Sequence, residues 1–174
     1  MFPHVTEIPQ RLMNNPPTFT EGMIHDVTIR EITRFADSRG WLAEIFRHDE
    51  LSVDIHPAMC YVSETLPGIA RGPHEHTDQT DLFAFFGPGD LKLYLWDVRN
   101  DSPTFGIRWA KTVGETFPCV VVVPPGVVHA YKCVSDKPAL VFNAPNRLYA
   151  GEGKKEKVDE VRHEESADSV FRLD

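Results

Sequence analysis

Short β-like runs recur along most of this chain, and turn-forming residues separate them. Glycine and proline mark the turns, as in residues 67–68 and 87–90, because they supply the backbone angles that tight turns need. Many short strands at regular spacing are typical of a sandwich or a barrel. The pattern therefore predicts an all-β fold. The predicted strands cover residues 27–32, 41–46, 58–63, 82–86, 91–96, 107–111, 119–123, 129–134 and 139–143.

Length and charge narrow the class of protein. A chain of 174 residues fits one domain. Its formal net charge of -8 argues against a nucleic-acid partner, because phosphate binding needs a surplus of lysine and arginine. No apolar run approaches the roughly 20 residues that span a bilayer, and the N-terminus lacks the pattern of a secretory signal. We therefore expect a cytoplasmic protein with no membrane partner.

The cysteines support the same location. Cys60, Cys119 and Cys133 are odd in number and widely spaced, and they lie in apolar or β-like surroundings. This usage fits a reducing compartment. We expect all three to be buried as small apolar side chains.

Two segments carry candidate metal ligands. Successive side chains of a strand point to opposite faces, so His74 and His76 are expected to share one face. Asp81 follows five residues after His76, and His129 follows a Pro-x-Gly turn. Imidazoles and a carboxylate form a ligand set that borderline divalent metals prefer. The pattern predicts a metal site inside a β-barrel.

The spacing of these segments resembles the two characteristic boxes of the cupin superfamily, with Asp81 where cupins usually carry glutamate. The resemblance implies a double-stranded β-helix, that is, a jelly-roll barrel. We expect one cupin domain over residues 1–174. Its expected parts are an extended, proline-rich N-terminal arm at 1–22, the β-barrel at 23–150 and a short C-terminal tail at 151–174.

Four ordered motifs narrow the resemblance to one family, the dTDP-4-dehydrorhamnose 3,5-epimerases. Together they cover roughly residues 25–150, and several motifs in order are more specific than one. The motifs are Asp37-Ser38-Arg39-Gly40 within residues 35–46, Arg71-Gly72-Pro73-His74 within 68–74, Asp97-Val98-Arg99 within 97–106, and Pro124-Pro125-Gly126 with His129-Ala130-Tyr131 within 124–131.

The resemblance implies a homodimer that binds a nucleoside diphosphate 4-keto sugar. By resemblance, Arg39 and Arg71 bind the diphosphate, for which planar guanidinium groups are suited. Glu44 and Phe46 stand where the family contacts the nucleoside, and His74 stands where it has its general base. A 4-keto group acidifies the protons on C3 and C5, so an imidazole is able to remove them. The predicted substrate-binding set also includes His129 and Tyr131 of the last motif.

The sequence departs from the family at two catalytic positions. Thr80 stands where the family has the lysine that stabilises the enolate, and Phe142 stands where it has the tyrosine that reprotonates the sugar. The family's carboxylate partner of the base lies in the C-terminal part, where Glu165 or its neighbour Glu164 is the nearest candidate. His163 beside them is expected to be solvated.

A metal is a hypothesis for replacing the lost lysine. One divalent ion, such as Zn, Mn, Fe or Ni, at His74, His76, Asp81 and His129 would act as a Lewis acid; no organic cofactor is expected. His74 is unable to be both a ligand through its inward nitrogen and a free base. If it is a ligand, then Tyr131, His163 or a metal-bound hydroxide are the bases to test.

Three functions from different classes remain open on the sequence alone. The first is an epimerase or isomerase of a dTDP-4-keto-6-deoxy sugar, with the metal as an optional addition, and it is our prediction. The second is a metal-dependent cupin enzyme acting on another small molecule. The third is a sugar-nucleotide binding module without catalysis, suggested by the missing lysine and tyrosine.

Overall fold

The computed structural model describes residues 18–174, and within this range the regular structure is strands and short 3-10 turns. The strands are β1 (Thr20–Glu21), β2 (Thr28–Glu31), β3 (Arg34–Asp37), β4 (Gly40–Ala43), β5 (Tyr61–Thr65), β6 (Ala70–Glu75), β7 (Asp81–Phe85), β8 (Asp90–Asp97), β9 (Ile107–Gly114), β10 (Cys119–Val123), β11 (Val127–Cys133), β12 (Ala139–Asn143) and β13 (Val161–Arg162). The 3-10 turns are Val53–Ile55, Glu152–Lys154 and His163–Glu165.

Two sheets form the barrel. One has the order β1-β9-β8-β11-β6-β13, and the other has the order β2-β10-β7-β12-β5. Strands distant in sequence are neighbours in both sheets, as a jelly roll requires. A separate ribbon pairs β3 with β4. The predicted all-β jelly-roll fold is therefore confirmed.

The core lies between the two sheets. It includes Phe85, Leu93, Val121 and Val141, all fully buried. Side chains on opposite faces of a strand usually differ in burial, yet every residue of β10 is buried. The reason is a second apolar layer outside the five-stranded sheet, in which Ile45, Phe46, Leu51 and Ile55 pack against Val120 and Val122.

The motif at residues 97–106 is a turn held by one buried carboxylate. Asp97 is fully buried at the end of β8, and its side chain accepts hydrogen bonds from Arg99, Ser102 and Thr104. Arg99 also donates to the main-chain carbonyl of His25 at 2.7 Å. Burial alone would raise the pKa of Asp97, but these hydrogen bonds outweigh it and lower the pKa to about 2. The motif at residues 97–106 therefore has a structural role, because it joins the end of β8 to the segment that contains His25.

The C-terminal segment packs on the six-stranded sheet. β13 pairs with β6, and the buried Phe171 ring lies 5.4 Å from that of Trp96. Asp174 forms ion pairs with Lys92 and Arg108. Of the predicted arm, residues 1–17 lie outside the described part of the chain, whereas Thr20–Glu21 pair in parallel with β9. The predicted domain boundaries stay predictions.

Two expectations about single side chains are wrong. His163 is 1% exposed and hydrogen-bonds Glu75, which lies on the reverse face of β6 from His74. The acidic residues around it in sequence suggested solvent, but the following segment folds back and covers it. Cys60 is exposed, since it precedes β5 in a loop, whereas Cys119 and Cys133 are buried as predicted. No helix within residues 18–174 has the length and apolar character to cross a membrane.

Asp97→Ala is expected to lower the free energy of unfolding at pH 7 by about 2 to 3 kcal/mol, because buried donors lose a charged acceptor. The folded-state pKa of Asp97 is depressed, so its stabilisation is present above the ordinary value of 3.8 and is lost as pH falls towards about 2. Urea unfolding across this pH range measures the difference. Asp101→Ala, at an exposed residue of the same turn, is the matched control. Equal losses in the two variants would contradict the assigned role.

Candidate functional site

A cavity of about 1000 Å³ opens between β5, β6, β11 and the loop that follows β12. Its size is in the upper range for a small-molecule site. Arginine, histidine, tyrosine and glutamate side chains from these elements and from the C-terminal segment line its wall. The lining includes Tyr61, Arg71, His74, His76, Tyr131, Arg162 and Glu164.

A β-bulge in β6 aims two of these side chains. Its pairing with β11 joins His129 to His74 and Tyr131 to Arg71, so β6 holds one extra residue in this interval. Arg71 and His74 are three apart and would point to opposite faces of a regular strand. The bulge brings both into the cavity. Gly72 at the bulge has a φ of +77°, and a Cβ there would lie 2.6 Å from the carbonyl oxygen of His129.

Three imidazoles meet at the inner end of the cavity. His74, His76 and His129 each offer a ring nitrogen, and these three atoms lie within 4.8 Å of one another. The ring centroids of His74 and His129 are 4.4 Å apart, and those of His74 and His76 are 5.8 Å apart. The predicted shared face is therefore observed, although His76 lies one residue beyond β6.

Asp81 reaches this cluster from the start of β7. Its Oδ2 lies 3.1 Å from His76 Nε2 and 3.4 Å from His129 Nε2. Its Oδ1 accepts hydrogen bonds from the side-chain amides of Asn143 and Gln79. The structure thus brings the three predicted imidazoles together and places Asp81 beside two of them. Their role as metal ligands stays a prediction.

Burial and the Asp81 charge give the imidazoles different pKa values. Burial, helped by the neighbouring His129 and His76, lowers the pKa of His74 well below its usual value. Burial also lowers the pKa of His129. It acts in the same direction on His76, but the hydrogen bond and charge of Asp81 outweigh it and raise that pKa to about 9. Burial would raise the pKa of Asp81, but His76 outweighs it and the pKa is lowered. A neutral His74 therefore lies beside an ion pair.

The carboxylate nearest His74 is Glu164. Its Oε1 lies 4.0 Å from His74 Nδ1, and burial raises the pKa of Glu164. The sequence named both Glu165 and Glu164 as candidates, with Glu165 preferred. Glu165 is 59% exposed and faces Arg162 at 3.7 Å. Both residues lie in the 3-10 turn His163–Glu165, and only the path of this turn decides which of two adjacent carboxylates faces His74.

Three residues predicted to bind substrate lie away from this chain's own cavity. Arg39 is 89% exposed at the tip of the β3–β4 ribbon, where it pairs with Asp37. Glu44 follows the ribbon and lies 3.8 Å from Arg47. Phe46 packs in the apolar layer outside the five-stranded sheet and stacks on His48. Arg71, His129 and Tyr131, by contrast, lie at the cavity or directly beneath it.

The structure shows where the side chains lie at the two positions that depart from the family motifs. Thr80 is buried, and its main-chain N–H donates to the Asn146 side chain. Phe142 packs in the outer apolar layer. Neither side chain lines the cavity, so neither supplies a substitute for the missing lysine or tyrosine.

Sequence reasoning gave no role to two residues beside the cluster. The Tyr61 hydroxyl accepts a hydrogen bond from Asn143 at 2.8 Å and lines the cavity. The Asp159 carboxylate accepts hydrogen bonds from the main-chain N–H groups of residues 77–79, and its carbonyl accepts one from His76. The alternation of side chains along β5 could have indicated that Tyr61 faces the cavity. Asp159 is 80 to 83 residues from its partners, and no local pattern indicates such a contact.

A jelly-roll barrel whose cavity is lined by histidines, together with arginine and carboxylate side chains, defines a class of proteins that enclose a small polar molecule. Comparison with known proteins identifies the branch. The model of the family described as dTDP-4-dehydrorhamnose 3,5-epimerase matches residues 21–162. The chain belongs to this family, and the predicted family and class of enzyme, an epimerase, are confirmed.

Named relatives agree with this assignment. The probable low-salt glycan biosynthesis epimerase Agl13 of Haloferax volcanii is 39% identical over 127 residues, which cover 72% of this chain and 81% of that protein. The spore coat polysaccharide biosynthesis protein SpsL of Bacillus subtilis is 32% identical over 120 residues, covering 69% and 78%. The crystal structure of a dTDP sugar isomerase from Desulfovibrio desulfuricans is similar with a TM-score of 0.73 at 25% identity, covering 86% and 91%.

Gly72→Ala is expected to destabilise the protein more than Gly68→Ala. Both positions have positive φ, of +77° and +76°, but only Gly72 faces a close carbonyl, since nothing lies within 4 Å of a Cβ at Gly68. Urea unfolding should show a loss of about 1 kcal/mol for Gly68→Ala. The collision should add about 1 to 3 kcal/mol for Gly72→Ala. Losses of the same size at both positions would show that the bulge tolerates a side chain.

Proposed function

We propose that this protein is an epimerase or isomerase of a dTDP-4-keto-6-deoxy sugar, and that His74 removes the proton next to the keto group. The observation that carries the proposal is a neutral, cavity-facing His74 with Glu164 at 4.0 Å and Arg71 on the same face. Removing the proton leaves charge that spreads onto the keto oxygen. A general base with a lowered pKa is present in its proton-accepting form at neutral pH.

Glu164 is proposed as the group that orients and stabilises His74. A carboxylate beside an imidazole fixes the ring and stabilises the imidazolium that forms after proton transfer. This proposal replaces Glu165 in that role, because Glu165 faces Arg162 and solvent.

Arg71 is proposed to bind the diphosphate. Its guanidinium is held by hydrogen bonds to the Thr65 hydroxyl and the Glu64 carbonyl, at 3.2 and 2.8 Å. These bonds use two of its five N–H donors, so the others remain for phosphate oxygens. Arg162 also lines the cavity, where it is paired with Glu160 at 2.7 Å.

The second candidate is a metal-dependent cupin enzyme acting on another small molecule. The clustered ring nitrogens of His74, His76 and His129 favour it, since three imidazoles at this separation suit a divalent ion. This candidate requires a bound metal and no affinity for dTDP. A non-catalytic binding module, the third alternative, requires dTDP binding without proton exchange. The cytoplasm stays the predicted location.

We further propose that the functional unit is a homodimer. The β3–β4 ribbon leaves Phe35, Trp41 and Leu42 62%, 51% and 66% exposed, and grouped exposed apolar side chains of this kind mark interaction sites. A second copy on this ribbon would cover them. It would also receive Arg39 and Glu44 at its cavity, which supports the substrate-binding roles predicted for both.

Solvent deuterium exchange tests the epimerase. In D2O with a dTDP-4-keto-6-deoxy sugar, NMR should show deuterium entering the carbon next to the keto group. His74→Gln should slow this about 10²- to 10⁴-fold, the usual contribution of a general base, with dTDP binding retained. His25→Gln, an exposed histidine away from the cavity, is the control. Exchange at an unchanged rate in His74→Gln would contradict the assigned base.

The dimer is tested by Leu42→Asp, which puts a charge on the exposed ribbon. Sedimentation should show a dimer for the parent protein and a monomer for the variant, with dTDP affinity reduced at least tenfold because Arg39 leaves the neighbouring cavity. Val134→Asp, at another exposed apolar residue, should remain dimeric. A monomeric parent protein that binds dTDP with unchanged affinity after Arg39→Ala would refute the shared site.

A further inference from the structure

Inversion at a carbon needs two protein groups on opposite faces of the substrate. One group removes a proton, and the other delivers a proton from the other side, because return from the same side restores the starting isomer. His74 is proposed for the first step. Thr80 and Phe142 do not line the cavity and are unable to serve in the second. A proton donor is therefore expected on the wall opposite β6.

Tyrosine suits this role, since a phenol is uncharged at neutral pH and carries a proton that it is able to donate. Of the four tyrosines in the chain, Tyr61, Tyr131 and Tyr149 line the cavity. Tyr131 lies on β11, in the same sheet as His74, and Tyr149 lies in the loop after β12. Tyr61 lies on β5, in the five-stranded sheet. A sugar held between the two sheets would have His74 on one side and Tyr61 on the other.

The side-chain amide of Asn143 determines where the Tyr61 proton points. Asn143 is 1% exposed and is opposite Tyr61 in the pairing of β12 with β5. Its amide nitrogen donates to the Tyr61 hydroxyl at 2.8 Å and to Asp81 Oδ1 at 2.9 Å. A carboxylate only accepts, so the contact with Asp81 sets the orientation of the amide. The Tyr61 oxygen is then an acceptor, which leaves its own O–H to donate into the cavity.

The surroundings of Tyr61 keep its proton in place until the substrate takes it. Desolvation, and then the charge of Asp81, raise the pKa of Tyr61 above its ordinary value, so the phenol is intact at neutral pH. A carbon next to a ketone is a weaker acid than a phenol, so proton transfer from Tyr61 to an enolate carbon is still favourable. The N–H of Asn143 would stabilise the phenolate that this transfer leaves behind.

We propose, on the basis of the proposed epimerase, that Tyr61 is the catalytic acid that protonates the carbon on the face opposite His74. His74 takes the proton from carbon, the C–H electron pair forms a C=C bond, and the carbonyl π pair moves onto oxygen. The oxygen pair then re-forms C=O, and the C=C pair takes the proton of Tyr61, whose O–H bond breaks. Solvent removes the proton from His74 and returns one to the Tyr61 phenolate.

Tyr61→Phe removes only the hydroxyl and separates the two halves of the reaction. With a dTDP-4-keto-6-deoxy sugar in D2O, NMR measures both formation of the inverted epimer and entry of deuterium into the starting isomer. Because His74 still exchanges the proton on its own face, the ratio of inversion to exchange should fall by about 100-fold or more. Circular dichroism and dTDP affinity should match those of the parent protein. Tyr94→Phe, which removes a hydroxyl outside the cavity beside Trp96, is the matched control and should leave the ratio unchanged.

An unchanged ratio in Tyr61→Phe would overturn the role of Tyr61, whether both rates persist or both fall, because a purely structural hydroxyl affects them together. Selective loss of inversion in Tyr131→Phe or Tyr149→Phe, and not in Tyr61→Phe, would overturn it in favour of another donor. Both results leave the epimerase standing. A parent protein that exchanges no substrate proton would refute the epimerase, and the role of Tyr61 with it.

Discussion

The pairing of β6 with β11 is the constraint on which the site depends. Its bulge puts Arg71 and His74 on one face of the sheet, opposite Tyr131 and His129. Without the extra residue, every inward side chain on one side of Gly72 would turn outward. The proposed base His74 and the proposed phosphate ligand Arg71 therefore depend on a single local irregularity. The approach of the His129 carbonyl to Gly72 shows how closely the two strands fit there.

The C-terminal segment completes the site from the edge of the same strand. β13 extends the sheet beside β6, and the buried pair of Glu75 and His163, 3.0 Å apart, ties the following 3-10 turn to the reverse face. Glu164 comes next and reaches the cavity side. A buried polar pair of this kind contributes little net stability once desolvation is counted. Its geometric effect, placing Glu164 near His74, is the clearer consequence.

Much of the fold was predictable because it follows from local pattern. The bounds of β10 and β12 match the predicted strands, and the two histidine boxes predicted the cluster. The predictions that failed concern residues whose contacts are distant in sequence. His163 is buried by a segment that folds back, and Asp159 meets residues 77–79 from across the cavity. The choice between Glu164 and Glu165 depended on how the 3-10 turn is positioned by the pairing of β13 with β6, which is distant in sequence. Arg39 lies away from the cavity of its own chain because it is at the tip of the β3–β4 ribbon. The first strand of this ribbon, β3, was not predicted.

The changes from the family pattern are linked by charge. Replacing a lysine removes a cation from the site, and Thr80 and Phe142 are uncharged and do not line the cavity. The adjacent residue is Asp81, a buried anion, which by itself would repel a developing oxyanion. Such a substitution is compatible with enolate chemistry only if a cation neutralises the carboxylate. Protonated His76 does so, as its raised pKa indicates. The gain of His76 and Asp81 therefore adds a paired charge beside His74, and this pair supplies no net positive charge for the substrate oxygen in place of the lysine.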